Sequence, residues 1–540
     1  MPVIESRVDH NSEAFKTNRQ EMLAMIEEIQ TLEKQVHNVS NRKKDLFHQR
    51  GQLLPRERLS LLLDRGAPFI ELSTLAGWKD QDDDGKENVF GAGIITGIGY
   101  IANTRCMIYI NDAAIKGGTN MPAATAKLSR AQDIAIEAKL PFVSLIQSGG
   151  GNLLHQHRTF TITGGKRFLM MARSSAKGLP QVTAVHGSST AGGAYVPGMS
   201  DYVVMVREKA MAFLAGPPLL KAATGEIATA EELGGAEMHS EVSGVSEFLA
   251  EDDAHAIEIV RDIVAKLNWE DKLPTSKRKP FKPPRYDIED LCGVVPTDYK
   301  KPYDCREVIA RLVDDSDFLE FKQLYDNYTI CGFGEVEGQP CGFIGNNGPI
   351  TPAGAAKAGQ FIQLCCQSDK PIIYLQNTTG FIVGTEAEQA GIIKHGSKMI
   401  QAVSNATVPQ ITFIIGASYG AGNFAMCGRS FEPRFLFAWP NARLAVMGGE
   451  QAATVMNIVY ENKMKAAGKH PDQSFMDKQH DEITGYYDEY STALYCTGQV
   501  VDDGIIDPRQ TRRLLAHLLD ISVTGDKMSL PQNTFGVARF

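Results

Sequence analysis

The feature that most constrains the fold is an internal repeat. A stretch that opens "PQVTAVHGSSTAGGAY" at Pro180 occurs again as "PQITFIIGASYGAGNF" from Pro409, aligned without a gap at an offset of 229 residues. The matched positions are identical, or aromatic in both copies, at Pro180 and Pro409, Gln181 and Gln410, Thr183 and Thr412, Gly187 and Gly416, Ser189 and Ser418, Gly193 and Gly422, and Tyr195 and Phe424. Repetition of this kind indicates that one structural unit occurs twice in the chain.

The repeat extends upstream, where "LPFVSLIQSGG" from Leu140 resembles "KPIIYLQNTTG" from Lys370. These two segments are 230 residues apart. At that offset, further matches are Pro122 and Pro352, Ala126 and Ala356, and Lys127 and Lys357. A chain of 540 residues also exceeds what one hydrophobic core usually supports. We therefore predict an N-terminal helical segment over 1–52, a first domain over 53–270, a linker rich in proline and basic residues over 271–290, and a second domain over 291–540.

Apolar residues recur at helical spacing between Met22 and Val39, which predicts an amphipathic helix in the N-terminal segment. We expect it to dock on its own domain rather than on a partner. Beyond it, extended apolar runs such as "RCMIYIND" from Arg105 and "PIIYLQ" from Pro371 alternate with helical stretches in both halves. Strands this apolar are buried on both faces, as in parallel sheets covered by helices. The sequence therefore predicts an α/β fold.

Both copies place a glycine-rich turn where a strand passes into a helix. In the first copy a buried strand is predicted up to Val185, Gly192 and Gly193 follow, and Tyr195 opens a helical segment. Glycines at such a point let an oxygen atom approach the backbone closely, and the first N–H groups of a helix have no partner inside it. A single Gly-Gly pair more often marks only a tight turn, but its repetition indicates a site for a negatively charged oxygen in each half.

Composition argues against several classes of protein. The formal net charge is −9 and there is no long basic run, which disfavours nucleic acid as a partner. No apolar run is long enough to cross a bilayer, and the first residues resemble neither a secretion signal nor a transit peptide, so we predict a cytoplasmic protein with no membrane partner. The nine cysteines show no CxxC spacing, so neither a disulfide framework nor a metal site is predicted.

Motif searches leave one alternative chemistry open. No dinucleotide-binding GxGxxG after a strand, no GxxxxGK[ST] loop and no HExxH is present. "GASYG" from Gly416 satisfies the GxSxG pattern, so a serine hydrolase with Ser418 as nucleophile and His470 or His480 as base is a second hypothesis. The first copy keeps the serine but lacks the closing glycine, which favours a shared role of the backbone over an activated serine.

Several segments together resemble one family. The segments are "STAGGAYVPGMSD", "FLAGPPLLKAATGE", "EELGGAEMHSEVSGV", "KHGSKMI", "SYGAGNFAMCGR" and "DDGIIDPRQTRR". In order and in both halves they resemble the carboxyltransferase β subunits of biotin-dependent acyl-CoA carboxylases. "NDAAIKGGT" and "PNARLAVMGGEQAA" are similar to the branch that acts on geranyl-CoA and 3-methylcrotonyl-CoA. The resemblance implies two tandem crotonase-like domains, each a spiral of ββα units.

The resemblance also implies roles for both turns. Gly192 and Gly193 match the pair whose amides hold the thioester oxygen of the acyl-CoA, and Ala421 and Gly422 match the pair that holds the ureido oxygen of biotin. In the family biotin itself moves the proton, so no side-chain acid–base set is required. Residues expected to line the acyl pocket or to reach the phosphates of CoA are Ser148, Gly149, Gly150, Lys116 and Lys177.

Further components are implied by the same resemblance. The chain has no biotinylation motif and no ATP-binding loop, so biotin is expected on a separate biotin carboxylase and biotin carrier α subunit, with none bound covalently here. In the family the N-domain of one subunit meets the C-domain of another, which implies active sites across a dimer interface and a β hexamer within an α6β6 complex. A biotin-dependent acyl-CoA decarboxylase subunit and a non-catalytic acyl-CoA-binding scaffold are the remaining hypotheses.

One position bears on the acyl substrate. Enzymes of 3-methylcrotonyl-CoA have a bulky aromatic residue where "TITGGKR" places Gly164. A small residue there implies a deeper acyl pocket, and each additional buried methylene contributes about 0.8 kcal/mol. We therefore expect geranyl-CoA as the substrate, with 3-methylcrotonyl-CoA as the alternative. The alternative explanation is drift of this loop without functional consequence, since the neighbouring "HQHRTFTIT" also differs from the 3-methylcrotonyl-CoA branch.

Overall fold

A computed structural model describes residues 3–79, 90–155, 157–158, 165–274, 279–531 and 536–538. The chain forms two compact units. The N-terminal unit comprises residues 31–275, 498–500 and 524–540, and the C-terminal unit comprises residues 1–30, 276–497 and 501–523. The exact bounds of the linker and of the N-terminal segment stay predictions.

The described residues of the N-terminal unit form an eight-stranded sheet. Its strands are β1 Ile70–Glu71, β2 Ile94–Ile101, β3 Thr104–Asn111, β4 Phe142–Ser148, β5 Gln181–Thr190, β6 Tyr202–Val206, β7 Met211–Phe213 and β8 Phe248–Ala250. The strand order is β1-β2-β3-β4-β5-β6-β8, and β7 pairs with β5. Pairing is antiparallel from β1 to β3 and parallel from β3 onward. The parallel part explains why these strands are apolar on both faces.

Helices alternate with the strands of this unit. They are Lys44–Gln49, Pro55–Leu62, Pro122–Glu137, Lys166–Ala176, Tyr195–Gly198, Pro217–Thr224, Ala230–Gly234, Ala236–Met238 and Asp253–Lys266. One buried cluster includes Leu62, Val185 and Val260, and a second includes Leu128 and Ile146. Since β4 contributes Val143 and Leu145 to the first cluster and Ile146 to the second, the core of the unit lies on the two sides of this strand.

In the described part of the C-terminal unit the sheet has seven strands. They are β9 Leu319–Glu320, β10 Thr329–Val336, β11 Gln339–Asn346, β12 Ile372–Thr378, β13 Gln410–Tyr419, β14 Phe435–Ala438 and β15 Arg443–Ala445. The order is β14-β13-β12-β11-β10-β9, with β15 paired to β13. The helices of the second half are Leu291–Val294, Cys305–Leu312, Pro352–Gln367, Thr385–Gln389, Ile392–Ser404, Ala421–Ala425, Gly449–Ala466, Gln473–Tyr490, Ala493–Gly498 and Thr511–Lys527.

The repeat in the sequence is a repeat of structure. β2 to β5 pair in the same way as β10 to β13, and the parallel register shifts at the same place in both, between Ile146 and Ser148 and between Gln376 and Thr378. Pro122 and Pro352 each occupy the first turn of a helix, where the missing N–H costs nothing. The predicted α/β fold is confirmed.

The matched lysines have the same buried role in both units. Lys127 Nζ donates to the carbonyl oxygen of Ile94 at 2.8 Å, and Lys357 Nζ donates to that of Asp326 at 3.1 Å. Each contact anchors the chain at or just before a long strand, β2 or β10. Burial lowers the pKa of Lys127 to about 8 and also lowers the pKa of Lys357. These lysines are therefore structural, which explains their repetition.

The predicted amphipathic helix is present as Glu13–Asn38. Its buried Met22 and Ile26 pack with Cys292, and Asn18 Nδ2 donates to the carbonyl oxygen of Gly293 at 3.1 Å. Residues 13–30 therefore belong to the C-terminal unit and residues 31–38 to the N-terminal unit, so the helix is not confined to the domain that follows it in the sequence. The apolar spacing specifies a helix and its buried face but not the surface that covers that face.

A buried carboxyl group makes the stability of the C-terminal unit depend on pH. The side chain of Asp502 is almost fully buried, and burial raises its pKa to about 7 from an ordinary 3.8. Between these values the folded chain binds a proton that the unfolded chain does not, so the free energy of unfolding falls as pH rises, by about 1.4 kcal/mol per pH unit. We expect Asp502→Asn to raise the melting temperature clearly more at pH 8 than at pH 5, because less of the linked stability has been lost at pH 5.

Calorimetry at both pH values tests this prediction. Asp477→Asn, at an exposed position of the helix Gln473–Tyr490, is the matched control and should show no such pH dependence. An equal shift of the Asp502→Asn melting temperature at pH 5 and pH 8 would contradict the prediction.

Candidate functional site

The glycine pair of the N-terminal unit lies where β5 ends and a helical turn begins. Thr190 is extended, Ala191 has a φ of 53°, and the short helix Ala191–Ala194 follows. Gly192 is exposed and Gly193 half-buried. The N–H groups of Gly192 and Gly193 stand in the first turn, where no carbonyl of the same helix reaches them. The turn therefore offers two adjacent amide donors to an oxygen atom.

The C-terminal unit has the same turn after β13. Gly420, with φ 55° and ψ −144°, leads into the helix Ala421–Ala425. The N–H of Gly420 donates to the carbonyl oxygen of Ala445 at 2.9 Å, which leaves those of Ala421 and Gly422 at the start of the helix. A Cβ atom on Gly422 would lie 2.9 Å from Gly380 Cα and 3.0 Å from Thr378 Cγ2. The close packing beneath the turn therefore requires glycine at 422.

A loop after β4 supports the first turn. Ser148 Oγ donates to the carbonyl oxygen of Gly118 at 2.7 Å and accepts from the N–H of Gly150 at 3.1 Å. A Cβ atom on Gly150 would lie 3.3 Å from the carbonyl oxygen of Thr190, directly before the turn. The structure thus brings Ser148 and Gly150 beside the turn, and the N–H of Gly149 donates to the neighbouring loop at Gly117. Their contact with an acyl group stays a prediction.

The same support recurs in the second unit. Thr378 Oγ1 accepts from the N–H of Gly380 at 3.2 Å, and the N–H of Ile350 donates to the carbonyl oxygen of Gly380 at 2.9 Å. Asn120 makes the matching bond to Gly150 at 2.8 Å. The duplication therefore includes the loops that support the turns as well as the turns themselves.

The remaining predicted site residues are Lys116, Lys177 and Gly164. Lys116 is half-buried with a φ of 47° in the turn Lys116–Gly118, which the N–H of Gly149 contacts. Lys177 is exposed at the end of the helix Lys166–Ala176, after the last turn. Gly164 lies outside the described residues. The assignments of Lys116 and Lys177 to CoA phosphates stay predictions.

Ser418, the hypothetical hydrolase nucleophile, is fully buried at the end of β13. Its Oγ donates to Gln376 Oε1 at 2.5 Å and accepts from Asn423 Nδ2 at 2.9 Å. His480 Nε2 instead lies 3.4 Å from Glu450 Oε2. Among the described residues, the side chains that hydrogen-bond to Ser418 Oγ are thus amides, and none is an imidazole. Ser418 therefore lacks the base that a serine nucleophile needs.

We accordingly expect no covalent reaction at Ser418. Incubation with a fluorophosphonate probe should leave the mass of the peptide around residue 418 unchanged, because a buried hydroxyl without a base is not activated. Active trypsin, whose serine nucleophile has a histidine base, is the positive control for the reagent. Stoichiometric labelling of Ser418 would revive the hydrolase hypothesis.

Aromatic partners of the turns were not found by sequence reasoning. Tyr195 packs edge-on against Phe168 with ring centroids 5.8 Å apart, and Phe424 stacks on Phe431 at 5.7 Å. Tyr195 and Phe424 are matched in the repeat and half-exposed beside their turns. That match of two exposed aromatic residues was the available signal, but the partner rings come from segments outside the repeat.

Beneath β5, a buried charged cluster ties the strand to two helices. Arg58 Nε donates to Asp253 Oδ2 at 3.0 Å, Arg58 Nη1 donates to Gln147 Oε1 at 2.9 Å, and His186 Nδ1 lies 2.7 Å from Asp253 Oδ1. Burial would raise the pKa of Asp253, but hydrogen bonding to His186 and the charges of His186 and Arg58 hold it below the ordinary value. Burial, together with the charge of Arg58, lowers the pKa of His186.

The described residues contain neither a cluster of metal ligands nor a membrane-spanning helix. No three of the histidine, cysteine, aspartate and glutamate side chains there come close enough together to hold a metal ion. No helix in the described ranges is both long and apolar enough to cross a membrane.

Comparison with known proteins identifies the family. Residues 47–538 match the carboxyl transferase domain. The chain is 44% identical to a probable mitochondrial methylcrotonoyl-CoA carboxylase beta chain of Drosophila melanogaster, over 99% of this chain and 95% of that protein. It is 45% identical to a probable biotin-dependent acyl-coenzyme A carboxylase beta2 subunit of Mycobacterium tuberculosis, over 99% of this chain and all of that protein.

A solved structure agrees with this assignment. The beta subunit of P. aeruginosa geranyl-CoA carboxylase superposes with a TM-score of 0.94 at 54% identity, covering the whole of both chains. The tandem crotonase-like fold expected from the resemblance is confirmed. The two repeated amide turns, the matched domain and these relatives together show that the chain belongs to the carboxyl transferase family, as the carboxyltransferase β subunit of a biotin-dependent acyl-CoA carboxylase.

Proposed function

We propose that the chain carboxylates the γ-carbon of geranyl-CoA, with the acyl-CoA bound at the turn of the N-terminal unit and biotin at the turn of the C-terminal unit. The observation that carries the proposal is the presence of two equivalent turns, each with two amide N–H groups free of helical partners. Two donor pairs suit a reaction in which two oxygen atoms gain negative charge.

Each turn has a defined part in this mechanism. The amides of Gly192 and Gly193 hold the thioester oxygen, and they bind it more strongly as negative charge develops in the transition state. Ala421 and Gly422 would hold the ureido oxygen of biotin, since Ala421 is exposed and its side chain is only a methyl group. Carboxybiotin, carried by the α subunit, would supply the carboxyl group and the base.

The subunit works with a biotin-bearing α subunit, as the family does. We further propose that the N-terminal unit of one β subunit meets the C-terminal unit of another, and that six β subunits form the core of an α6β6 complex. This arrangement is supported by the resemblance to the family, and it makes oligomerisation part of the active site.

The preference for geranyl-CoA is supported by the likeness to the P. aeruginosa β subunit and by Gly164 in the sequence. 3-Methylcrotonyl-CoA is the second candidate, because the relative from Drosophila melanogaster bears the name of that carboxylase. The distinction depends on the depth of the acyl pocket.

Carboxylation of both acyl-CoAs by the copurified α and β subunits tests the substrate. The parent should prefer geranyl-CoA, and Gly164→Phe should lower kcat/KM for geranyl-CoA by tenfold or more while 3-methylcrotonyl-CoA is spared, because a bulky aromatic residue at this position is the pattern of the 3-methylcrotonyl-CoA enzymes. Gly165→Phe, at an exposed position with no atom within 4 Å of an added Cβ, is the control. Preference of the parent for 3-methylcrotonyl-CoA would contradict the assignment.

A further inference from the structure

The two repeated turns are restrained in different ways. Close packing restrains the second turn at Gly422, because a Cβ atom added there would lie 2.9 Å from Gly380 Cα. The corresponding position on Gly193 has only Ser189 Oγ as a neighbour, at 3.5 Å, apart from the adjacent chain. A Gly-Gly turn that no packing holds would sample many backbone conformations. Some other contact must therefore hold the first turn in shape.

Ser189 supplies that contact. Its side chain is fully buried at the end of β5, and its Oγ donates to the carbonyl oxygen of Gly193 at 3.0 Å. The bond crosses the turn and ties its last glycine to the strand. Ser418, at the matched position in β13, has turned instead to Gln376 and Asn423. Ser418 bonds elsewhere, and backbone packing restrains its turn. Ser189 bonds to its turn, where such packing is absent.

We propose that Ser189 is a positioning residue for carboxyl transfer: its hydroxyl holds the Gly193 peptide so that the Gly192 and Gly193 N–H groups point together at the thioester oxygen. The inference rests on the proposed function of this turn. Donors aligned before the reaction stabilise the developing oxyanion without reorganisation, so misaligned donors affect the transition state more than the bound substrate. Ser189 touches no reacting atom in this role.

Steady-state kinetics of the αβ complex tests the proposal. We expect Ser189→Ala to lower kcat about tenfold or more and to change KM for the acyl-CoA by less than threefold. Ser189→Thr keeps a hydroxyl and suits a strand, so it should restore kcat to within threefold of the parent. Ser200→Ala is the matched control, since Ser200 Oγ is a buried hydroxyl that donates to the carbonyl oxygen of Val196 at 2.8 Å, in the helix after the turn.

The outcomes separate the possible failures. Equal losses of kcat in Ser189→Ala and Ser200→Ala, or a rise in KM without a change in kcat, would overturn the positioning role. If Ser189→Ala fails to fold, Ser189→Cys replaces it, because a thiol is similar in size to a hydroxyl but is a weak hydrogen-bond donor. An unchanged kcat in Ser189→Cys would overturn the proposal. Failure of the oxyanion site itself is recognised separately, by full activity after substitution of Gly193.

Discussion

Replacing Gly193 with alanine is expected to lower the kcat of carboxyl transfer by about a hundredfold or more, the usual cost of losing one oxyanion donor. An added Cβ would meet only Ser189 Oγ, at 3.5 Å, which is an ordinary contact. The unit should therefore fold with nearly unchanged stability. The methyl group would nevertheless stand beside the N–H of residue 193 and keep the thioester oxygen from approaching both donors.

A nearby glycine provides the control for this variant. Gly198 closes the helix Tyr195–Gly198 and has no atom within 4 Å of an added Cβ. Gly198→Ala should retain parental kcat, and both variants should melt within a few degrees of the parent. Measurement of kcat with the purified αβ complex, alongside melting curves, decides the question. Parental kcat in a folded Gly193→Ala protein would remove this turn from the mechanism.

Replacing Arg58 with methionine should destabilise the N-terminal unit by roughly 3–5 kcal/mol, the cost of removing one partner of a buried ion pair. The side chain of Arg58 is fully buried, and its bonds reach Asp253 and Gln147. Without it, Asp253 keeps the N–H of Leu53, at 2.7 Å, and His186 as partners, but its charge is no longer balanced by a permanent cation. Methionine fills most of the volume, so the loss is electrostatic rather than steric.

Hydrogen exchange of peptides from β5, which His186 ties to this cluster, measures the effect. The double variant Arg58→Met with Asp253→Asn should recover part of the loss, because it removes the unpaired charge and keeps an oxygen that can accept the N–H of Leu53. Lys44→Met breaks a half-exposed ion pair with Glu57, whose atoms lie 3.5 Å apart, and should cost less than about 1 kcal/mol. A loss below about 1 kcal/mol in Arg58→Met would show that the cluster is not electrostatically coupled.

Much of the fold was predictable because its signals are local in the chain. Apolar runs indicated buried strands, and the repeat showed that each half contains the same supersecondary order. The turns were predictable for the same reason: a strand, two small residues and a helix suffice to expose amide donors. The sequence around Gly187 did not indicate that the Gln147 side chain occupies the space beside this glycine. It also did not indicate that the Asn377 side chain occupies the matched space beside Gly416.

The sequence by itself determined the duplicated α/β scaffold, the position of both amide turns and, through the family, the class of reaction. Only the tertiary structure decided what holds each turn and which surface buries the first helix. Asn18 and Gly293 are 275 residues apart, and Arg58 and Asp253 are 195 apart. Such contacts depend on which distant segments meet when the chain packs, and local patterns of polarity and backbone preference carry no information about that choice.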